Sequence, residues 1–284
     1  MPKDDSVAVV LSDFHCGHTL GLLNPETKIE RTGQDDKTFQ LGAVQEYLWN
    51  LYLTCLNRLE VLAGKAPVTI FLNGDITHGT KYLEAVFAVS AAEQVQIARW
   101  CIDEILRRKK LRVKHVRFLL GTAAHTLDGT TEQLLSDLLS ALYPNIDIGL
   151  SGIGLYNIGV GGADFDVAHH GPSVGSREWG TGNTARLYCL SLMMRCIRRK
   201  QEPPRVVIRS HRHRKVWETV RYAEYATEMI VTPSFCGMNG HGLQVTQSLD
   251  EQDHGVYAFV VSGGDVKVVP MVETVDLRRR EVLA

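Results

Sequence analysis

Apolar residues recur along much of the chain at the spacing of amphipathic helices. Over residues 41–62, they return at steps of three and four, so that one helical face is apolar. The same pattern predicts a second long helix at about residues 82–108, a third at residues 134–142 and a fourth at about residues 183–199.

Short apolar runs between these helices predict β-strands. In the first half of the chain, "VAVVL", "VTIFL" and "VRFLL" alternate with the helices, which is typical of an α/β fold with parallel strands. In the second half, apolar runs flank the dipeptides Gly161-Gly162 and Gly263-Gly264, which predicts two antiparallel hairpins. A further strand follows Pro203 and Pro204. Helices are therefore expected to pack on sheets of mixed direction.

Length and charge narrow the class of protein. The chain has 284 residues and no Pro-, Ser- or Gly-rich linker, so we expect a single domain over residues 1–284. With 31 Lys and Arg against 32 Asp and Glu, the formal charge of -1 gives no general attraction to nucleic acid or to an anionic membrane. A local basic groove stays open as an alternative.

The sequence also carries signals about location. It lacks a secretory signal and any apolar run of about 18 residues that would span a membrane, so we expect a soluble protein that does not bind membranes. Its six cysteines have no CxxC spacing, which favours reduced, buried thiols over disulfides or a zinc finger. These features predict a cytoplasmic protein. They leave its oligomeric state open.

Several predicted strands end in residue types that bind metals. Ligands of open α/β sheets collect beyond the carboxyl ends of the strands, so these side chains can meet in one crevice. Residues two apart in an extended chain point the same way, which would let both members of a DxH or HxH pair converge. The residues are Asp13 and His15, Asp75, His169 and His170, and His211 and His213.

The mixture of carboxylate and imidazole favours particular ions. Mn, Fe, Co, Ni and Zn accept both ligand types, whereas Mg and Ca prefer oxygen alone. The set is too large for one tetrahedral ion but suits two ions about 3.5 to 4 Å apart, the arrangement used for in-line attack on phosphate esters. We therefore predict two divalent ions, with Mn favoured and Fe, Zn, Ni or Co as alternatives.

The order of these motifs resembles the calcineurin-like metallophosphoesterase superfamily. The chain reads "DFH", "GD", "GTAAH", "HHG" and "HRH", where the family pattern is DxH, GD, GNH, a single His and GHxH. The resemblance covers residues 13–213. It implies a four-layer αββα sandwich, with two central mixed β-sheets flanked by helices.

The resemblance also implies roles for individual residues. Asp13, His15 and His213 would hold one ion, and Asp75 would bridge both. His211 would hold the second ion together with a histidine of "HHG", for which His169 is favoured and His170 is a close alternative.

The chain departs from the family pattern at two positions. Ser210 replaces the glycine of the last motif, which requires only that the backbone there accommodate a Cβ atom. The larger departure is "GTAAH", which resembles a variant found in phage and bacterial members: the asparagine ligand is missing and His125 comes two residues late. Thr122, a water molecule or His125 itself could take the asparagine's place.

The resemblance makes His125 the candidate catalytic acid, because imidazole titrates near neutral pH. The predicted function is hydrolysis of phosphate esters, most of all phosphodiesters of DNA or nucleotides. One alternative is a small-molecule or protein phosphomonoesterase, and another is a non-catalytic binding module with the same fold.

Other histidines and arginines receive no role. His115 alternates with apolar residues and is expected on the polar face of a strand, and His241 and His254 are expected in glycine-flanked loops. His18 and His78 flank the ligand motifs and could contact the ligands, but their loop positions alone explain them. Arg177, Arg212 and Arg214 are expected to be solvated.

Overall fold

The computed structural model describes residues 5–30, 35–81, 85–152, 156–173, 180–238 and 251–277. The helices in these ranges are α1 (Ala43–Ala63), α2 (Ala91–Leu106), α3 (Ala123–Thr126), α4 (Thr130–Leu142) and α5 (Asn183–Arg198). The strands are β1 (Ser6–Leu11), β2 (Lys28–Ile29), β3 (Lys37–Thr38), β4 (Pro67–Asn73), β5 (Arg112–Leu119), β6 (Asp147–Leu150), β7 (Tyr156–Val160), β8 (Ala163–Val167), β9 (Val206–Arg209), β10 (Val216–Tyr222), β11 (Tyr225–Val231), β12 (Glu251–Ser262) and β13 (Asp265–Asp276).

The strands form two large mixed sheets and one small hairpin. Sheet one has six strands in the order β13-β12-β1-β4-β5-β6, and β1, β4, β5 and β6 run parallel. Sheet two has five strands in the order β10-β11-β9-β8-β7, and β8, β9 and β11 run parallel. Antiparallel hairpins extend both sheets at their edges. The expected α/β fold with two mixed sheets is confirmed.

Three buried apolar clusters separate four layers. The first lies between sheet one and helices α1, α2 and α4; the second lies between the two sheets; the third lies between sheet two and α5. Strand β1 shows how the sequence specifies this: Val7 and Val9 face the helices, whereas Ala8 and Val10 face sheet two. Because successive side chains of a strand point to opposite faces, an apolar run without alternation belongs to a strand covered on both sides.

Aromatic contacts join the sheets at the centre of the second cluster. The ring of Phe165 on β8 lies 5.7 Å from that of Phe71 on β4 and 5.4 Å from that of Phe259 on β12. All three side chains are fully buried. Each ring removes a large apolar area from water, so these contacts fix the approach of one sheet to the other.

The predicted helices agree with the structure except at two starts: the third begins at Thr130 instead of residue 134, and the second differs more. That helix was expected from residue 82 but begins at Ala91. The segment before it instead pairs with the loop after β1: Val86 forms a β-bridge with His18, and the Phe87 amide donates to Gly17 O at 3.0 Å. Residues 82–84 lie outside the described ranges. Tertiary pairing therefore overrides the helical pattern of residues 85–90.

The structure also corrects the environment expected for His254. This residue was placed in a glycine-flanked loop, but it lies within β12 and is buried, with its Nδ1 3.1 Å from Ser234 O. His115 is exposed on β5 next to Asp147, as its alternating pattern predicts. Arg177 and His241 fall outside the described residues. In the ranges that the structure describes, no helix has the length and apolar character needed to cross a membrane.

Candidate metal centre

The seven predicted metal ligands all follow the carboxyl ends of parallel strands. Strands β1 and β4 of sheet one and strands β8 and β9 of sheet two end side by side, so four loops from two sheets meet at one place. Asp13 and His15 follow β1, Asp75 follows β4, His169 and His170 follow β8, and His211 and His213 follow β9.

The structure brings all seven side chains together. They form three adjoining groups, in each of which the potential ligand atoms lie within 4.8 Å of one another. The groups are Asp13, His15 and His213; Asp13, Asp75 and His169; and His169, His170 and His211.

The first site consists of Asp13, His15 and His213. Asp13 Oδ1 lies 3.2 Å from His213 Nε2 and 3.9 Å from His15 Nε2. The two histidine Nε2 atoms are 3.3 Å apart. Three donor atoms from three different side chains therefore converge on one small volume.

The second site consists of Asp75, His169 and His211. Asp75 Oδ2 lies 3.0 Å from His169 Nε2 and 3.8 Å from His211 Nδ1. Asp75 also belongs to a group with Asp13, so its carboxylate lies between the two sites. This is the position that a carboxylate bridging two ions would occupy.

The two neighbouring histidines of "HHG" lie in different environments. His169 is buried at 2% exposure, and its Nδ1 donates to Asn73 O at 2.7 Å, which leaves Nε2 directed at Asp75. His170 is exposed, with its ring 4.7 Å from that of His211. The two rings contact each other, with 5.0 Å between their centroids, so burial and not direction distinguishes the two side chains. The geometry thus favours His169 as the ligand and leaves His170 at the rim.

The polar atoms of this centre fit a cation. Asp13 Oδ1 and His169 Nε2 are buried, and within the described ranges neither has a partner in hydrogen-bond geometry, although His213 Nε2 and Asp75 Oδ2 lie 3.2 Å and 3.0 Å away. Although burial opposes ionisation of every group here, the histidines, His169 above all, hold the pKa values of Asp13 and Asp75 below the usual range. The carboxylates in turn outweigh the effect of burial on His169 and raise its pKa to about 9. A proton or a metal ion must lie between these groups.

Thr122, one of the candidates to replace the missing asparagine ligand, lies next to the second site. Its hydroxyl lies 3.0 Å from Asp75 Oδ2 and 3.2 Å from His211 Nδ1, and its amide donates to Asp75 Oδ1 at 2.6 Å. The preceding Gly121 is required, because a Cβ atom there would come within 2.2 Å of Asp75 Oδ1. Gly121 therefore leaves room for the Asp75 carboxylate, and Thr122 orients it by hydrogen bonds.

The His125 side chain lies beside the first site, while its backbone amide donates to Thr122 O at 2.8 Å. Its ring is 4.6 Å from the ring of His15 and 5.0 Å from that of His78, and the three histidines form a further group of potential ligands. Its Nδ1 lies 2.6 Å from His78 O, to which it donates. Nε2 is then the nitrogen that can transfer a proton or hold an ion.

The backbone at the ligands differs from the expected extended form. Among the described residues, nine non-glycine residues have positive φ angles. Five of these nine are candidate ligands: Asp13, His15, Asp75, His211 and His213. The prediction that DxH and HxH pairs converge because their backbone is extended is therefore wrong about the cause. The pairs converge on turns in the left-handed region, where backbone strain gathers at functional sites.

Sequence reasoning gave no role to several residues that support the centre. His78 is buried, with its Nδ1 3.3 Å from His15 Nδ1, and His18 packs against His78 with 4.5 Å between ring centroids. Gln94 of α2 accepts from the amides of His78 and Gly79 through its side-chain oxygen. The closeness of His18 and His78 to the ligand motifs was a usable signal. Gln94 gave none, since an isolated glutamine on a helix is ordinary.

Glu132 is a further buried residue that the sequence did not mark. It is fully buried at the start of α4, where Thr131 Oγ1 lies 3.0 Å from its Oε2. Its Oε1 has no hydrogen-bond partner in the described part of the chain. Burial raises the pKa of Glu132 to about 7, while the Thr131 hydrogen bond acts in the opposite direction.

Comparisons with known proteins add little to this geometry. No protein-family model matches the sequence, and no curated protein matches it. Among solved structures, a single mutant of Vps29 from Entamoeba histolytica matches with a TM-score of 0.33 and 13% identity over 96% of this chain and 99% of that one. Wild-type Vps29 from the same organism, complexed with Zn²⁺, matches with a TM-score of 0.35 and 15% identity over the same shares.

A third solved structure is the sulfate thiohydrolase SoxB from Thermus thermophilus, in complex with glycerol. It matches with a TM-score of 0.38 and 11% identity, over 98% of this chain and 57% of SoxB. Because all three TM-scores and identities are low, we base no conclusion about this chain on them.

The raised pKa of Glu132 predicts how stability depends on pH. A carboxyl group whose folded pKa is raised from 4.5 to about 7 adds most stability below pH 4.5 and loses that contribution as pH rises toward 7. Gln cannot ionise, so the Glu132→Gln variant does not lose this contribution. The free energy of unfolding of the variant minus that of wild type should therefore be larger at about pH 8 than at about pH 5, by roughly 2 kcal/mol.

Chemical denaturation of the metal-free protein at both pH values measures this difference. The exposed Glu202→Gln variant is the control and should track wild type at both. A constant difference between Glu132→Gln and wild type would mean that Glu132 is already ionised in the folded protein.

Proposed function

We propose that this protein is a metal-dependent phosphoesterase that uses two divalent ions. Asp13, His15 and His213 would hold one ion, His169 and His211 the other, and Asp75 would bridge them. The observation that carries the proposal is the contact between buried carboxylate oxygens and histidine nitrogens at two adjoining sites, with Asp75 between them. Buried charges of this kind are paired or coordinate metals.

The ions and the protein would have separate tasks. When bound, the ions would lower the pKa of a water molecule and neutralise charge on the phosphate. The mixed donor set suits Mn, with Fe, Zn, Ni or Co as alternatives. Thr122 holds Asp75 in position by two hydrogen bonds, through its amide and its hydroxyl. The Asn73 carbonyl fixes His169 with Nε2 toward Asp75.

His125 is the proposed general acid. Its hydrogen bond to His78 O fixes the ring and reserves Nε2 for proton transfer to the leaving oxygen. The ring lies at the edge of the first site and is partly exposed, which suits contact with a substrate. The competing role, metal ligation by His125, is supported by its place in a group with His15 and His78.

Phosphodiesters of nucleic acid or nucleotides are the proposed substrates. In the described ranges, every strand outside the short β2-β3 hairpin belongs to one of the two central sheets, and we expect that no separate domain covers the strand ends. An open site of this kind would admit an extended substrate. A phosphomonoesterase remains the alternative within the enzyme class, and a binding module without activity remains the alternative outside it.

The first prediction concerns the metals. Hydrolysis should be lost after chelation and dialysis and restored better by Mn than by Mg, because imidazole ligands favour the softer ion. Asp75→Asn should be the most damaging single ligand change, lowering kcat/KM by more than about 100-fold, because outer-shell changes alone cost up to that factor.

Asp147→Asn is the matched control, since this carboxylate pairs with His115 and Arg117 away from the metal centre. It should leave both activity and metal content at the wild-type level. Full activity in excess chelator would contradict the metal-dependent mechanism.

The second prediction concerns substrate class. We expect phosphodiesters, including single-stranded and nicked DNA, to be cleaved faster than phosphomonoesters. The measurement is kcat/KM for an aryl diester and the matching aryl monoester with Mn present. A clear preference for the monoester would favour the phosphatase alternative. The absence of hydrolysis of either substrate, with both ions bound, would favour the non-catalytic module.

The third prediction distinguishes the two roles of His125. A general acid is typically worth about 10² to 10⁴ in rate, mainly when the leaving group is a poor one. His125→Ala should therefore lose that factor on a nucleotide diester, whose leaving group is an alkoxide, and retain much of its activity on a nitrophenyl diester.

The paired measurement is kcat/KM on both substrates, with the number of bound ions determined on the same samples. His115→Ala, at an exposed histidine of β5, is the control. Equal losses on both substrates together with loss of an ion would make His125 a ligand. Unchanged rates on both would remove it from the mechanism.

A further inference from the structure

A buried hydrogen-bond network connects the four ligand-bearing loops. Its members are polar residues that directly precede the ligands: Ser12 before Asp13, Asn73 before Gly74 and Asp75, and Ser210 before His211. All three are at most 2% exposed. Polar side chains buried in this way are retained where their hydrogen bonds are satisfied, so their partners show what they hold.

Asn73 is the centre of the network. Both N–H groups of its side-chain amide are used: one donates to Ala168 O at 3.0 Å and the other to Ser210 Oγ at 2.7 Å. Its backbone carbonyl oxygen accepts from His169 Nδ1 and from Ser12 Oγ, each at 2.7 Å, whereas its side-chain Oδ1 has no hydrogen-bond partner among the described residues. Asn73 ends β4 of sheet one, whereas Ala168 and Ser210 follow strands of sheet two. One side chain thus ties the two sheets together where the ligands emerge.

Ser210 supplies a contact that glycine could not make. Its Oγ accepts from Asn73 and also from Thr232 Oγ1 at 2.8 Å, and its amide donates to His169 O at 2.8 Å. The pattern that this motif resembles has glycine at the same position. The hydroxyl is therefore a specific link between Asn73, on the Asp75 loop, and the residue that precedes His211.

We propose that Asn73 and Ser210 are positioning residues that set the spacing of Asp75, His169 and His211 across the two sheets. The inference rests on the proposed two-metal function and adds a determinant of the second site. Asp75 belongs to the loop that follows Asn73, and both second-site histidines adjoin the residues to which the Asn73 side chain donates. Loss of the Asn73 to Ser210 contact would let the sheet-two ligands move relative to Asp75.

The test removes the hydroxyl and measures metal binding directly. Ser210→Ala keeps the Cβ atom, and Ser210→Gly restores the family pattern while also losing the hydroxyl. The metal-free full-length chain is titrated with Mn²⁺ by calorimetry, and its thermal unfolding is recorded in parallel. Wild type should bind two ions. Both variants should keep one ion and bind the other about 10- to 100-fold more weakly, as outer-shell changes typically do.

Thr227→Val is the matched control. Thr227 is also fully buried in sheet two, where its hydroxyl donates to Pro204 O at 2.8 Å, but it lies at the opposite end of β11 from the metal centre. It should lower stability by an amount similar to Ser210→Ala and leave both Mn²⁺ affinities unchanged.

The outcomes separate the inference from the function on which it rests. Wild-type affinity for both ions in Ser210→Ala and Ser210→Gly would overturn the positioning role, even if both variants are less stable. Equal weakening of both ions in the variants would also overturn it, because the effect would not be specific to the second site. Failure of wild type to bind Mn²⁺ would instead contradict the two-metal function itself, and the inference with it.

Discussion

The structure depends most on the burial of two carboxylates, Asp13 and Asp75, at the junction of its sheets. Removing such groups from water is costly unless positive charge compensates them. Histidines surround both, and in the metal-free protein the proton on His169 provides part of the compensation, since the pKa of His169 is raised to about 9. Metal binding would require this proton to leave, because a ligating imidazole must be neutral at the coordinating nitrogen.

The need to compensate the buried carboxylates explains the unusual backbone of the loops that carry the candidate ligands. To place donors within a few ångströms of one another, the chain turns sharply after each strand, and five candidate ligands adopt positive φ angles. Asp tolerates this region better than most residues, and His does so to some extent. The parallel strands β1, β4 and β9 supply three such turns, and the loop after β8 places His169 without one. The sheets, rather than the loops themselves, therefore determine where the donors meet.

Much of this arrangement could be predicted from the sequence, because it follows from patterns of residues close together in the chain. The spacing of apolar residues predicted α1 and α5, the Gly-Gly pairs predicted two hairpins, and the polar residues at strand ends predicted that the candidate ligands lie close together. What the sequence could not supply depends on contacts between distant segments. Asn73 and Ser210 are 137 residues apart, and their hydrogen bond exists only because the sheets pack in one register.

The start of α2 and the burial of Glu132 have the same origin. Val86 pairs with the loop after β1 and not with its own helix, and only the packing of α4 against the core shows that Glu132 is enclosed. Ser210 is the clearest case. As a sequence change, it looked like a tolerated replacement of glycine, whereas the structure gives its hydroxyl two partners in two other segments.

The placement of ligands on both sheets has a consequence for the folding of the chain. His15 and His213 approach to 3.3 Å although 198 residues separate them. An ion held by both would act as a reversible cross-link that closes a very long loop, and loop-closure entropy rises only slowly with length. An ion that binds only the folded arrangement stabilises it in proportion to RT ln(1 + [ion]/Kd). The cohesion of the two halves of the molecule would then follow the supply of free metal around it.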